Sequence, residues 1–171
     1  MNDTRMSRYE YDVGKSNRRG EMMFRPQQQG LNEDLAWEYT AATQYLQHAA
    51  MLNGSEYYVM IDELKEHAHD EFSHAEILND LIQYLGGVPT VEAAPVMTSM
   101  NNREMLMQDL QGEYDAINRY LQRIQQLESM GLYDSSERIR NIIVDEQEHA
   151  NDLENVLGIN QNTVPKSPYY Y

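Results

Sequence analysis

Two copies of a Glu-x-x-His motif lie 75 positions apart in this chain and carry its clearest chemical signal. Residues three apart share one face of an α-helix, so each copy directs a carboxylate and an imidazole to the same side. The same offset relates two further segments, which each contribute one glutamate. Four carboxylates and two imidazoles that face one interior form the ligand set of a carboxylate-bridged two-metal site. The candidate ligands are Glu38, Glu71, His74, Glu113, Glu146 and His149.

The charge of this ligand set indicates two metal ions rather than one. Burying four carboxylates without compensation costs several kcal/mol for each ion, and two divalent cations balance their charge. Mixed carboxylate and imidazole ligation without sulfur suits iron or manganese, and zinc can also occupy such sites. We predict two Fe ions per subunit, because iron is available and redox-active. Each imidazole is expected to bind through one nitrogen while the other meets an acceptor.

A charged, solvent-facing helix also explains either Glu-x-x-His copy taken alone. Repetition favours the metal site, because a solvated face has no reason to reproduce the same residue types at one offset. Tyr45 and Tyr120 each follow the isolated glutamate of their repeat by seven positions, two helical turns along the same side. They are predicted to hydrogen-bond a ligand carboxylate or to act in electron transfer. Packing in a half-buried core is the alternative.

Other polar residues near the motifs are assigned structural or surface roles. His48 and His67 are predicted to be structural or solvent-exposed rather than primary ligands. Glu66 and Asp70 share a helix face and are predicted to form a solvated acidic surface. A cation path or a secondary site is the alternative for these two carboxylates.

Apolar residues at three- and four-residue steps predict four amphipathic helices. Ser55, Asn101 and Asp134 are predicted to cap the second, third and fourth helices. Residues 86–101 are rich in Gly, Pro, Thr and Ala, and the segment is too long for a tight hairpin. It suits a crossover between helices two and three, so the predicted fold is an all-α, antiparallel four-helix bundle. The helices are expected at about residues 32–52, 56–85, 102–129 and 135–157.

The length of 171 residues fits one domain with flanking segments. We predict a flexible arm over residues 1–30, the bundle over 31–158 and a polar tail over 159–171. The absence of cysteine excludes disulfides and thiolate metal sites, and it fits a reducing cytoplasm. There is no apolar run of membrane-spanning length and no signal-peptide pattern. A cytoplasmic location without a membrane partner is therefore expected.

The net charge of −15 is distributed unevenly. Residues 1–30 carry six basic and four acidic side chains, which leaves seven basic against 24 acidic side chains for residues 31–171. An acidic body attracts cations and repels nucleic acid. The mildly basic arm is predicted to be solvated, and DNA binding through it is the weaker alternative.

These motifs resemble those of bacterioferritins, within the ferritin-like di-iron superfamily, over about residues 31–158. The resemblance rests on segments 32–45, 70–75, 86–89, 109–113 and 145–149. It implies that Glu71 and Glu146 bridge the metals, while Glu38 with His74 and Glu113 with His149 are terminal ligands. It also implies Fe²⁺ oxidation by oxygen or hydrogen peroxide at a ferroxidase centre. Ferric mineral would then be stored inside a hollow homo-oligomeric shell.

The chain departs from the bacterioferritin pattern at several points. Phe72 stands where bacterioferritins have the Met that ligates haem, so no haem is expected. The chain after the fourth helix is short and contains proline, so a fifth helix is not expected. The long arm is similar to that of the Dps-like, DNA-protecting mini-ferritins, which remain an alternative. A di-metal peroxidase or catalase, similar to rubrerythrin or manganese catalase, is another, although a Cys-rich rubredoxin module is absent.

Overall fold

The chain folds into four long helices, as seen in a computed structural model that describes residues 18–159, with side chains from residue 28. A short 3₁₀ turn, Ser55–Tyr57, precedes the second helix, and no strand occurs within residues 18–159. The predicted all-α bundle is therefore confirmed. The helices are α1 (Arg18–Met51), α2 (Tyr58–Tyr84), α3 (Asn102–Ser129) and α4 (Tyr133–Leu157).

The helices pack as two hairpins that are joined by a long crossover. α1 packs mainly on α2 and α3 mainly on α4, while α1 also contacts α3 and α2 contacts α4. The crossover runs beside α1, where the Thr90 amide donates to Asn32 Oδ1 at 2.6 Å. Further along, the Met97 amide donates to Gln44 Oε1 at 2.8 Å. These bonds satisfy crossover backbone that would otherwise need water, and they confirm the predicted connection between helices two and three.

The apolar core consists of two clusters with a polar layer between them. One contains Leu35 and Leu78 and lies where the middle of α1 meets the end of α2. The other contains Leu64 and Leu153 and lies where α2 starts and α4 ends. Each fully buried leucine stabilises the fold by about 1.5–3 kcal/mol, so the two clusters stabilise the helix packing on both sides of the polar layer. The predicted ligands occupy that layer.

The first helix begins earlier than its apolar pattern predicts, at Arg18 instead of about residue 32. Gln28 Nε2 donates to the Leu85 carbonyl at 2.6 Å. Gly30 is buried against Arg123, and a Cβ at this glycine would lie only 1.9 Å from Arg123 Nη1. One contact is made by a side-chain amide and the other by a glycine. Neither residue is apolar at helical spacing, so the apolar pattern did not predict this part of the helix. Residues 1–17 of the predicted arm and residues 160–171 of the tail lie outside the described residues.

One of the three predicted helix caps is confirmed. The Asn101 side chain accepts from the Glu104 amide at 3.0 Å and opens α3. The cap at Ser55 is wrong, because this residue starts the 3₁₀ turn and α2 follows Tyr57 without a side-chain cap. The cap at Asp134 is also wrong, because α4 already begins one residue earlier. Asp134 lies in the first turn, where its charge still favours the positive end of the helix dipole.

Within residues 18–159, no helix combines the length and the apolar character that crossing a bilayer requires.

Candidate metal centre

The six predicted ligands converge in the buried polar layer, and none is more than 3% exposed. Their ligand atoms form two overlapping groups, within each of which all atoms lie within 4.8 Å of one another. Glu71 and Glu146 belong to both groups. One group is completed by Glu38 and His74 and the other by Glu113 and His149. The arrangement therefore provides two adjacent four-ligand sites that share two carboxylates.

Both histidines turn their Nδ1 atoms toward the carboxylates. His74 Nδ1 lies 3.3 Å from both Glu38 Oε2 and Glu146 Oε1. His149 Nδ1 lies 3.4 Å from Glu71 Oε1 and 3.8 Å from Glu113 Oε1. Ligand atoms that bind one first-row metal at about 2.0–2.2 Å are themselves roughly 3 Å apart. The side chains are thus close to the spacing that a bound cation requires.

The outer nitrogens of the two histidines meet aspartates on the opposite helix. His74 Nε2 of α2 lies 3.2 Å from Asp145 Oδ2 of α4. His149 Nε2 of α4 lies 3.4 Å from Asp70 Oδ2 of α2. An Nε2–H that donates to a carboxylate leaves the Nδ1 lone pair free for a metal. Asp70 was predicted to belong to a solvated acidic face; it is half-exposed, and it also orients a histidine. This second role could have been predicted from the sequence, because an aspartate recurs at the same offset as Asp145.

The two tyrosines connect the helix pairs across the centre. The Tyr45 hydroxyl of α1 donates to Glu113 of α3, and the Tyr120 hydroxyl of α3 donates to Glu38 of α1. Burial and the neighbouring carboxylates raise the pKa of both phenols well above 10, so both remain protonated donors. The structure therefore contains the hydrogen bonds that the sequence suggested. A role in electron transfer stays a prediction.

Buried polar atoms without a hydrogen-bond partner are concentrated in this layer, and they provide a test of whether metals fit. A buried polar atom without a partner costs about 1–3 kcal/mol, and more when it is charged. Six such atoms lie in this layer, and five of them are carboxylate oxygens, which are ligands for divalent cations. They are Glu38 Oε2, Glu71 Oε1, Glu113 Oε2, both Glu146 oxygens and His149 Nδ1. The donor set therefore fits a pair of divalent metal ions.

Without metal, the centre retains protons that cations would displace. Burial, together with the nearby Glu38, raises the pKa of Glu71 to about 8. Burial and the charge of Glu71 raise the pKa of Glu146 to about 7. Burial acts to lower the pKa of His149, but the adjacent Glu71 carboxylate and the charge of Glu113 raise it to about 9. Metal binding is consequently linked to proton release.

Two buried pairs of polar side chains join α1 and α3 at positions related by the offset of 75. Arg123 Nε donates to Asp34 Oδ2 at 2.7 Å. His48 Nδ1 lies 2.8 Å from Asp109 Oδ1, which also accepts from Gln44 at 2.9 Å. His48, predicted to be structural or solvent-exposed, is fully buried in this pair. Neither pair was predicted from the sequence, although both aspartates stand at matching positions of the repeat.

A small pocket of about 40 Å³ lies beside the centre between α1 and α3. Glu38 and Glu113 contribute to its lining, together with Trp37 and Gly112. Gly112 is the counterpart of Trp37 in the repeat, and a Cβ at the glycine would meet nothing within 4 Å. A pocket of this size holds only a few water-sized molecules. The centre is therefore adjacent to space for a molecule of about that size.

A four-helix bundle with a buried, duplicated carboxylate and histidine cluster defines the class of helical di-metal carboxylate proteins. The family model for the ferritin-like domain matches residues 28–161. The chain belongs to this ferritin-like family, and the predicted resemblance is confirmed.

Individual relatives agree with this assignment. The chain is 31% identical to the bacterioferritin of Brucella melitensis over 130 residues, which cover 75% of this chain and 81% of that protein. A ferritin-like di-iron carboxylate protein of Bacillus anthracis has a TM-score of 0.75 and 34% identity, covering 78% of this chain and 96% of the other. The bacterioferritin of Rhodobacter capsulatus has a TM-score of 0.72 and 27% identity, covering 78% and 84%.

Proposed function

We propose that this protein oxidises Fe²⁺ at an intrasubunit two-iron centre and stores the ferric product inside a hollow homo-oligomer. The observation that carries the proposal is the cluster of buried carboxylate oxygens without hydrogen-bond partners. A cluster of this kind is stabilised by cations and is costly without them. The bacterioferritin relatives support iron as the cation and storage as the outcome. Manganese or zinc are possible substitutes in the same ligand set.

Each group of residues has a distinct role in this proposal. Glu71 and Glu146 would be ligands of both ions, since each belongs to both groups of candidate ligands. Glu38 with His74, and Glu113 with His149, would each complete the ligand set of one ion. When bound, the irons would supply two-electron redox chemistry toward oxygen or hydrogen peroxide.

The surrounding residues hold the ligands in position. Tyr45 and Tyr120 donate to the two terminal glutamates and so fix one oxygen of each carboxylate. Asp70 and Asp145 hold the histidines with Nδ1 directed inward. The apolar clusters on both sides keep the two tyrosine hydrogen bonds away from bulk water, which strengthens them.

The charge and surface of the chain agree with storage in an oligomer. A net charge of −15 concentrates cations near the protein surface. Several large apolar side chains are exposed on the single chain, among them Phe72 and Tyr84. Contact with further copies in a shell would cover such surface. Phe72 offers no ligand atom to haem iron, so a haem-free protein remains our prediction, and a cytoplasmic location is part of the proposal.

Iron loading with kinetics tests the proposal. Fe²⁺ is added to metal-free protein without air, oxygen or hydrogen peroxide is then added, and ferric absorbance is followed. Rapid oxidation is expected in the wild type and in the exposed-acid control Glu76→Ala. Glu71→Ala and Glu146→Ala should lose the rapid phase, because each removes a shared ligand. Full-rate oxidation in either variant would contradict the proposal.

Particle size and iron content separate storage from the alternatives. A shell that retains hundreds of irons supports storage, as expected for a ferritin-like container. A small oligomer with only two irons per chain would instead indicate a di-metal peroxidase or catalase. Salt-dependent DNA retention that disappears on deletion of residues 1–25 would indicate a Dps-like role.

A further inference from the structure

His67 is a buried imidazole outside the six-residue centre, and the proposed chemistry does not use it. It is 3% exposed. Its ring stacks on that of His149, with centroids 4.0 Å apart and planes inclined by 26°. Its Nδ1 atom is buried without a partner, and Nε2 lies 3.7 Å from Asp152 Oδ2, beyond hydrogen-bond range. Neither ring nitrogen of His67 therefore has a hydrogen-bond partner among the described residues, and a bound cation would satisfy one of them.

Two carboxylates accompany this imidazole. Glu63 lies one turn before His67 on α2, and Asp152 approaches from α4. One ligand atom from each of these three residues lies within 4.8 Å of the others. Glu63 and Asp152 are half-buried, so water reaches the cluster from one side.

The electrostatic surroundings of the cluster favour a cation. Burial and the negative charges of Glu66, Asp152, Asp62 and Glu148 raise the pKa of Glu63. Lys65 is the nearby basic partner of Asp62, at 2.8 Å, and it offsets one of these charges. Several carboxylates therefore repel one another around His67, and a divalent ion would relieve that repulsion.

We propose that Glu63, His67 and Asp152 form a third divalent-cation site beside the two-metal centre. One imidazole and two carboxylates suit Fe²⁺, Mn²⁺ or Zn²⁺. Three protein ligands with an open side leave room for water in the remaining positions. Because its imidazole stacks on His149, this site holds a cation next to the centre but outside it. The inference concerns binding alone and does not require the centre to oxidise iron.

Metal titration of the full-length, metal-free protein tests the third site. Zn²⁺ binding is followed by calorimetry, and Co²⁺ binding by its visible absorption. The wild type should bind a third, weaker equivalent per chain in addition to the pair at the centre. Glu63→Gln and Asp152→Asn should weaken that equivalent at least tenfold and keep the pair, because each removes one ligand of three. Glu66→Gln is the matched control, since it removes the same charge from the same surface and should keep all three equivalents.

The outcomes distinguish this site from the centre. Glu71→Ala should lose the pair and retain the third equivalent together with its Co²⁺ absorption. A wild type that binds only two equivalents would overturn the third site while leaving the centre intact. Equal loss of affinity for the third equivalent in Glu66→Gln and Glu63→Gln would also overturn it. The general negative charge of the surface would then explain the binding without specific ligands. His67→Phe, which keeps a ring against His149, should lose the third equivalent and retain the other two.

Discussion

The Nε2 atom of His74 on α2 lies 3.2 Å from Oδ2 of Asp145 on α4. The reciprocal contact joins His149 on α4 to Asp70 on α2 at 3.4 Å. Each helix of this pair thus supplies both a candidate histidine ligand and a carboxylate beside the histidine of the other helix. The arrangement would keep both Nδ1 atoms unprotonated and directed at the centre when metal is bound.

Removing one of these orienting carboxylates should weaken metal binding without unfolding the protein. Asp145→Ala is expected to reduce metal affinity about 10–100-fold, which is the usual cost of losing a partner of a metal-bound histidine. Asp145 is half-exposed, so the apolar core is unaffected. Calorimetric titration with Mn²⁺ measures the change. Asp134→Ala, an exposed aspartate on the same helix, should retain wild-type affinity. Equal affinities for Asp145→Ala and the wild type would show that the contact has no role.

Loss of either tyrosine hydroxyl should weaken binding of the ion held by the glutamate to which that tyrosine donates, which belongs to the other repeat. Tyr120→Phe removes the donor to Glu38, and Tyr45→Phe removes the donor to Glu113. A hydrogen bond to a charged group contributes about 1.5–3 kcal/mol, so affinity at the ion concerned should fall about 10- to 150-fold. Stepwise metal titration reports the effect on each ion.

The control for the tyrosine variants is Tyr39→Phe. The Tyr39 hydroxyl accepts from Asn79, which is not one of the six candidate ligands. This variant should titrate like the wild type. If all three phenylalanine variants behave alike, the hydroxyls at the centre do not position the glutamates.

The sequence predicts the helical architecture and the ligand set because both are periodic signals. A Glu-x-x-His pair on one helix face, repeated at a fixed offset, is visible without coordinates. The start of α1 at Arg18 was missed because its contacts depend on Gly30 and on the amide of Gln28, neither of which forms an apolar stripe. The third cation cluster was missed because Glu63 and Asp152 are far apart in sequence, and only the packing of α2 on α4 brings them together.

The buried pair of Asp34 and Arg123 should be essential for stability. Asp34 is fully buried, so Arg123→Leu leaves a carboxylate without its main partner. Breaking a buried pair from one side costs about 3–5 kcal/mol. Urea unfolding of the metal-free protein at fixed concentration measures the loss, and adding Asp34→Asn should restore part of it.

Arg138→Leu is the matched control for the buried pair. Arg138 pairs with Asp80, which is exposed. An exposed pair contributes about 0–1 kcal/mol, so this variant should remain close to the wild type. Similar losses in Arg138→Leu and Arg123→Leu would contradict a special role for the buried pair.

The metal-free protein should lose stability as the pH rises. In the folded chain the pKa of Glu71 is about 8 and that of Glu146 about 7, both above the ordinary 4.5. Their contribution to stability is present below about pH 4.5 and is lost as the pH rises through these values. His149, with a pKa of about 9 instead of 6.5, contributes below about pH 6.5 and loses its contribution as the pH rises through about 9.

Bound cations replace the protons that the centre holds, so metal should flatten this pH dependence. Thermal unfolding between about pH 5 and about pH 9, with a chelator or with Mn²⁺, compares the two states. The stabilisation by Mn²⁺ should increase with pH, because fewer protons must be displaced. Parallel curves in the two conditions would mean that the titrating groups do not bind the metal.

Crystals soaked in Fe²⁺ without air, with anomalous scattering measured at the iron edge, test the central claim most directly. Two iron peaks are expected at the six-residue centre of each chain, about 3.5–4 Å apart as in other two-metal sites. Glu71 and Glu146 should lie between the peaks, with His74 Nδ1 at one and His149 Nδ1 at the other. Absence of both peaks, or iron bound only at the protein surface, would contradict the account.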